Sequence, residues 1–211
     1  MKGTVLYEVR DGVALLTVDN PPVNPLSDGV RAGLYEGLAK AEADSSVVGV
    51  VLTGNGRAFI AGADISEFGG TGEGHGLAEV FKKLEYCSKP VVAAINGLAL
   101  GGGLETALCC NYRIASHQAF VGLPEVNLGL LPGAGGTQRL PRLVGPAEAL
   151  KIMLSGAHVP AKKALSLGIV DSLSDNVVED SITFIKEKAA NSDSHPLVRE
   201  LNNKVIEARG N

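Results

Sequence analysis

The sequence predicts an α/β fold, on three observations. Strand-like and helix-like segments alternate along most of the 211 residues. Two strand-like segments, "SVVGVVLTG" and "PVVAAINGLAL", are nearly all apolar, the pattern of strands covered on both faces. The 27 glycines cluster, and clustered glycine marks special backbone geometry or close approach of the backbone to a ligand.

The elements follow in chain order. "TVLYEVRDGVALLTVDNPP" predicts a β-hairpin, because two β-rich runs flank Asp11-Gly12, a pair that tolerates positive φ. Pro21 and Pro22 end its second strand. Ser27 is placed to cap a helix that runs to about Ala43, with Val30, Leu34 and Leu38 on its apolar side. The buried strand "SVVGVVLTG" comes next, then "GNGRAFIAGADISEFGGTGEGHG", a glycine-rich loop with one short apolar patch. "LAEVFKKLEYC" is amphipathic and helical. "PVVAAINGLAL" reads as one buried strand, and "GGGLETALCCNYRIA" turns from it into a helix. "AFVGLPEVNLGLLPGAGG" is strand-like and then loop, and "TQRLPRLVGPAEALKIMLSG" holds short helices interrupted at Pro141 and Pro146. "PAKKALSLGIVDSL" is a helix, a glycine stop and a strand, and the tail from about Val177 to Arg209 is mostly helical. The expected division is a core domain over 1–175 and a C-terminal helical segment over 176–211.

Composition narrows the function classes. Hydrophobic residues make up 45% and charged residues 20%, the balance of a folded globular chain. A net charge of -4 without a basic block argues against nucleic acid as a partner. Cys87, Cys109 and Cys110 are odd in number and two are adjacent, so no disulfide framework is expected and a reducing compartment is. No CxxC occurs and the four histidines are scattered, so no metal site is expected. The N-terminus alternates apolar and polar residues instead of carrying a signal-peptide core. No run of about 18 apolar residues predicts a membrane span. The expectation is a soluble intracellular protein.

Three motifs carry chemistry. In "LALGGGLETALCC" three glycines precede Glu105 inside an apolar run. If the glycines mark a strand-to-helix junction, they expose N–H groups with no helical carbonyl to reach, at the positive helix end. The small-residue turn "AGAD", Ala61 to Asp64, offers a second set of backbone donors. Two such donors aimed at one carbonyl oxygen would favour an enolate-like transition state. In "VGLPEVNLGLLPGAGG", Glu125 is a second carboxyl in an apolar setting. A pair of buried carboxyls is a general acid–base signature, since burial and mutual repulsion keep one protonated while the other ionises.

The segments "FIAGADISEF", "KPVVAAINGLALGGGLETALCCNYRIA" and "VGLPEVNLGLLPGAGGTQRLPRLVG" closely resemble the enoyl-CoA hydratase/isomerase (crotonase) family. Their wording is nearest to the N-terminal hydratase/isomerase part of bifunctional fatty-acid β-oxidation enzymes. The resemblance covers roughly Val5 to Leu173. It implies a spiral of repeated ββα units and a homotrimer or dimer of trimers. It also implies an acyl-CoA thioester as substrate, with no further cofactor. By motif, the N–H groups of Ala63 and Gly102 form the oxyanion hole, Glu105 helps to activate water, and Glu125 exchanges the proton at Cα. Gly133 borders the catalytic water, and Ala61, Asp64 and Ile65 are candidates for holding CoA. Arg139 and Arg142 are read as helix-surface charges and not as CoA-phosphate ligands.

Two carboxyls favour a hydratase of trans-2-enoyl-CoA. The alternatives are a Δ3,Δ2-enoyl-CoA isomerase or a non-catalytic acyl-CoA-binding module. Many relatives have lysine where this chain has Ser66. The family continues with further helices beyond the position of Asn211, and "HPLVRELNNKVIEARGN" resembles the start of the bifunctional enzymes' connecting region. The chain is therefore expected to be a fragment or a short form, with a fused or separate 3-hydroxyacyl-CoA dehydrogenase as partner. The expected location is cytoplasmic in a bacterium, and peroxisomal or mitochondrial in a eukaryote.

Overall fold

The computed structural model describes residues 3–64, 67, 75–191 and 194–210. The chain opens with an antiparallel hairpin of β1 (Thr4–Arg10) and β2 (Val13–Asp19), in a register that closes at Arg10 opposite Val13. Asp11 and Gly12 make the turn with φ of 50° and 78°, the left-handed pair a tight hairpin needs. Helix α1 (Asp28–Ala43) follows Ser27 at the N-cap, and Val30, Leu34 and Leu38 are fully buried as their spacing predicts.

The chain then alternates between two sheets. A six-stranded sheet has the order β1-β2-β3-β5-β7-β10, and a four-stranded sheet has the order β4-β6-β8-β9. Strand β3 (Gly49–Gly54) joins the large sheet, β4 (Ala58–Ala61) the small one, and α2 (Leu77–Glu85) returns. The unit repeats as β5 (Val91–Ile95), β6 (Leu98–Leu100) and α3 (Gly102–Cys109). A third turn begins with β7 (Tyr112–Ser116) and β8 (Phe120–Gly122). It continues through a 3₁₀ turn (Pro124–Leu128), α4 (Gly136–Val144) and α5 (Pro146–Ser155). This is the ββα spiral implied by the resemblance.

Four readings of the sequence are corrected here. "PVVAAINGLAL" is two strands in different sheets: the side-chain amide of Asn96 donates to the carbonyls of Gly54 and Gly56, both at 2.9 Å, and turns the chain between them. The apolar patch "AFIA" is a strand of the small sheet, paired with β6. The helix after "GGG" ends at Cys109, and "YRIAS" is strand β7. Pro141 lies inside α4 and does not break it, whereas Pro146 starts α5 at its first turn.

The end of the chain closes the large sheet. A two-residue strand β9 (Val159–Pro160), α6 (Ala161–Leu167) and β10 (Ser172–Ser174) lead into α7 (Val177–Asn191). Val177, Ile182 and Ile185 of α7 pack on Val13, Leu15, Val51, Val92 and Ile114, covering one face of the sheet. The other face packs on the helices and the small sheet in a larger apolar core. Each fully buried aliphatic side chain stabilises the fold by about 1.5–3 kcal/mol. A 3₁₀ turn (Val198–Glu200) and α8 (Asn203–Arg209) lie against α4. Among the described residues, no helix is long and apolar enough to cross a membrane.

Candidate active site

The small sheet brings three turns together. Its parallel strands β4, β6 and β8 end in register, with Ala61 opposite Leu100 and Leu100 opposite Gly122. The residues that follow these ends are Gly62-Ala63, Gly101-Gly102 and Leu123-Pro124-Glu125. In α/β folds ligands gather at the carboxyl ends of parallel strands, because successive turns converge there. A cavity of about 710 Å³ occupies that place. Ala61, Ala63, Gly102, Glu105, Glu125 and Gly133 all line it. Leu77 of α2 and Leu128, Leu130 and Leu131 supply an apolar wall.

The three glycines each have a cause. Gly101 precedes α3 with φ of 53°, a conformation that side chains rarely adopt. Gly102 starts the helix, and a Cβ on it would stand 3.5 Å from the Ala63 nitrogen, so the two amides are neighbours. At Gly103 a Cβ would meet the Ile60 carbonyl oxygen at 1.8 Å, so only glycine lets α3 lie on β4. Among the described residues, neither the Ala63 nor the Gly102 N–H donates to a protein group. The Gly62 carbonyl accepts from the Leu26 N–H at 3.0 Å, which holds the Ala63 turn against the start of α1.

The two carboxyls sit in unlike surroundings. Glu105, in the first turn of α3, is buried, and its Oε1 accepts from the N–H groups of Ala134 and Gly136, both at 2.8 Å. Burial raises its pKa, and the two amides and the Arg139 charge pull it partly back. Glu125 sits in the 3₁₀ turn after β8. Among the described residues its Oε2 is buried without a hydrogen-bond partner. Burial raises its pKa too, and the charge of Glu105 adds to the rise. Burial is thus the larger cause at both carboxyls, with the Glu105 charge a smaller addition at Glu125.

Not every predicted residue reaches the cavity. Asp64 is buried and lies outside the lining. Ile65 and Ser66 fall outside the described residues. Arg139 corrects an expectation: its side chain is only 12% exposed and its Nε donates to Glu85 Oε1 at 2.8 Å. Arg142 donates to the backbone carbonyls of Gln138 and Arg199. The amides of Ala134 and Gly136 are site groups that the sequence reading passed over. Their signal was present in "PGAGG", where small residues leave main-chain N–H groups uncovered.

A family model described as enoyl-CoA hydratase/isomerase matches residues 8–208. The peroxisomal bifunctional enzyme of Danio rerio is 50% identical over 180 residues, covering 84% of this chain and 25% of that protein. A probable enoyl-CoA hydratase of Bacillus subtilis (strain 168) is 48% identical over 165 residues, covering 75% of this chain and 64% of its own length. The crystal structure of an enoyl-CoA hydratase from Bacillus anthracis superposes with a TM-score of 0.81 at 34% identity, covering 91% of this chain and 78% of that one. The chain spans about a quarter of the length of the bifunctional relatives it matches.

Proposed function

The chain belongs to the enoyl-CoA hydratase/isomerase family, and from that premise we propose that it adds water to a trans-2-enoyl-CoA to give the 3-hydroxyacyl-CoA, a step of fatty-acid β-oxidation. One observation carries the reading: two carboxyls of unlike surroundings face the same cavity as two neighbouring, unengaged amides.

In this reading the thioester carbonyl lies against the Ala63 and Gly102 N–H groups. Adding water at Cβ builds negative charge on that oxygen, and the two donors, with the positive end of α3, stabilise it. Glu105, held by two amides, keeps a fixed orientation toward the water, which Gly133 borders, and accepts the proton that the water loses as its oxygen bonds Cβ. Proton exchange with solvent after product release restores both carboxyls. Glu125 delivers the proton to Cα with the oxygen that has no protein partner. The carboxyls and amides handle charge and protons between them, so the proposed chemistry calls on no cofactor beyond the CoA thioester. The apolar wall suits an acyl chain, and Ala61, Asp64 and Ile65 are proposed for CoA.

That same free oxygen favours isomerisation as a second activity, because one carboxyl facing both Cα and Cγ can move a proton between them. Glu105→Gln separates the two. Hydration should fall by about 10²–10⁴, the loss of one acid–base group, while Δ3,Δ2-isomerisation survives. Hydration unchanged in that variant, followed by absorbance of the enoyl thioester, would remove Glu105 from the mechanism.

Every proposed site residue lies within 1–175, and in this reading the C-terminal helical segment over 176–211 covers the large sheet through α7. The names of the relatives speak of a peroxisomal enzyme with two functions and of a multifunctional β-oxidation protein; a 3-hydroxyacyl-CoA dehydrogenase partner, and a peroxisomal location in a eukaryote or a cytoplasmic one in a bacterium, are part of the proposal. A trimer is part of the proposal, and Leu150 and Leu154, one turn apart on α5 and more than half exposed, offer apolar surface for it.

A further inference from the structure

We propose that the buried Glu85–Arg139 ion pair is the positioning device for Glu105, holding in place the loop amides on which that carboxyl rests. The inference builds on the hydratase reading wherever turnover is its readout.

Arg139 belongs to α4, yet its side chain turns back over the loop that precedes the helix. Its Nη1 donates to the Ala134 carbonyl at 3.1 Å. The N–H of that same residue donates to Glu105 Oε1 at 2.8 Å. Ala134 is thus held on one side by the guanidinium and on the other by the carboxyl. The fit is close: at Gly135, with φ of 104°, a Cβ would lie 2.0 Å from Arg139 Nη1. Glu85, from α2, fixes the other side of the guanidinium through the 2.8 Å contact to Nε. Its side chain is 3% exposed, and its second oxygen faces Arg199 Nη1 at 3.4 Å. Arg199, in the 3₁₀ turn near the C-terminus, also donates to Tyr86 Oη at 2.5 Å.

A plain structural clamp between α2 and α4 would not need this pair. Buried ion pairs are often replaceable by apolar side chains of similar volume without loss of stability. What apolar residues could not do is hold a backbone carbonyl at a set place and put a positive charge beside Glu105. The charged and titratable groups that act on or sense Glu105 are Glu125 from the 3₁₀ turn, Arg139 from α4 and the Cys109 thiol of its own helix. Of these, Arg139 alone favours the ionised form of Glu105. Without it, the midpoint of Glu105 moves to higher pH, and so does the acid limb of activity.

The test combines kinetics with a ¹³C NMR titration of the Glu105 carboxyl, assigned by its loss in Glu105→Gln. Arg139→Gln should lower kcat by about 10–100-fold, the scale of a small misplacement of a reacting group, with KM within about twofold. Its Glu105 midpoint should rise. Arg139→Lys keeps the charge but cannot serve a carboxylate and a carbonyl at once as a planar fork does. It should lose rate while its midpoint stays near the wild-type value. If Arg139→Gln fails to fold, Glu85→Gln combined with Arg139→Gln leaves no lone buried charge and takes the same measurements. Wild-type kcat and wild-type midpoint in a folded Arg139→Gln or double variant would overturn the proposal. If the wild-type protein does not hydrate an enoyl-CoA, the functional reading fails, and the NMR spectrum decides this one: displaced Ala134 and Gly136 amide resonances together with a raised midpoint in Arg139→Gln sustain it, and amide resonances at their wild-type positions overturn it.

Discussion

The two sheets use their residues differently. In the large sheet all six residues of β3 and all five of β5 are buried, and apolar clusters cover both faces. In the small sheet the strands are two to four residues long, and the three parallel ones, β4, β6 and β8, end in register at the cavity. The large sheet holds the fold through side chains, and the small one aims backbone groups. That separation lets the molecule keep a buried carboxyl, Glu105, and the buried Oε2 of the half-buried Glu125 beside the small sheet, because the core elsewhere offsets their destabilisation.

The largest effect that would sharpen this contrast is at Glu125. Glu125→Gln should lower both hydration and isomerisation by about 10²–10⁴ and yet raise the melting temperature. The sign follows from its raised pKa. The stability contribution of such a carboxyl is full below its unfolded pKa and is lost as pH rises through the folded one. Thermal denaturation at about pH 5 and about pH 8 should therefore show the gain growing with pH. A variant destabilised at the higher pH would contradict the burial argument.

Gly103→Ala should break the contrast, because α3 there touches the small sheet's backbone. A methyl group against the Ile60 carbonyl should cost about 3 kcal/mol or more and also remove activity, by shifting the Gly102 amide. Urea denaturation with a parallel hydration assay would show both losses together. Ile185→Ala, on α7 over the large sheet, should cost about 2–4 kcal/mol with kcat per folded molecule unchanged. A fall in kcat there would mean that the two sheets are coupled. The smallest effect belongs to Arg199→Ala: its long, half-exposed contact to Glu85 is worth under about 1 kcal/mol. Its kcat should fall less than about threefold.

The large sheet and the first helices were readable in the sequence, since "GVVLTG" is a continuous apolar run bounded by turn residues and Val30-Leu34-Leu38 repeats at helical spacing. Strand β4 was hidden by its length: four residues hold too little pattern to separate a strand from an apolar patch. The break between β5 and β6 depends on where the carbonyls of Gly54 and Gly56 stand, which is a tertiary fact. Glu105 and Glu125 could be found because a carboxyl in an apolar run is conspicuous. Glu85 could not, since it ends an amphipathic helix as one charge among several, and only the partner on α4 shows that it is buried.

Helix α7 comes late in the chain, and the residues it covers on β2 come near the beginning. During synthesis from the N-terminus the hairpin emerges early and must wait for its cover until Val177 and the residues after it have left the ribosome. Through that interval the nascent chain carries a naked greasy stripe, the feature that draws chaperones or promotes clumping. Slowing translation just upstream of Val177 should therefore lower the soluble yield of the finished protein while leaving its stability untouched.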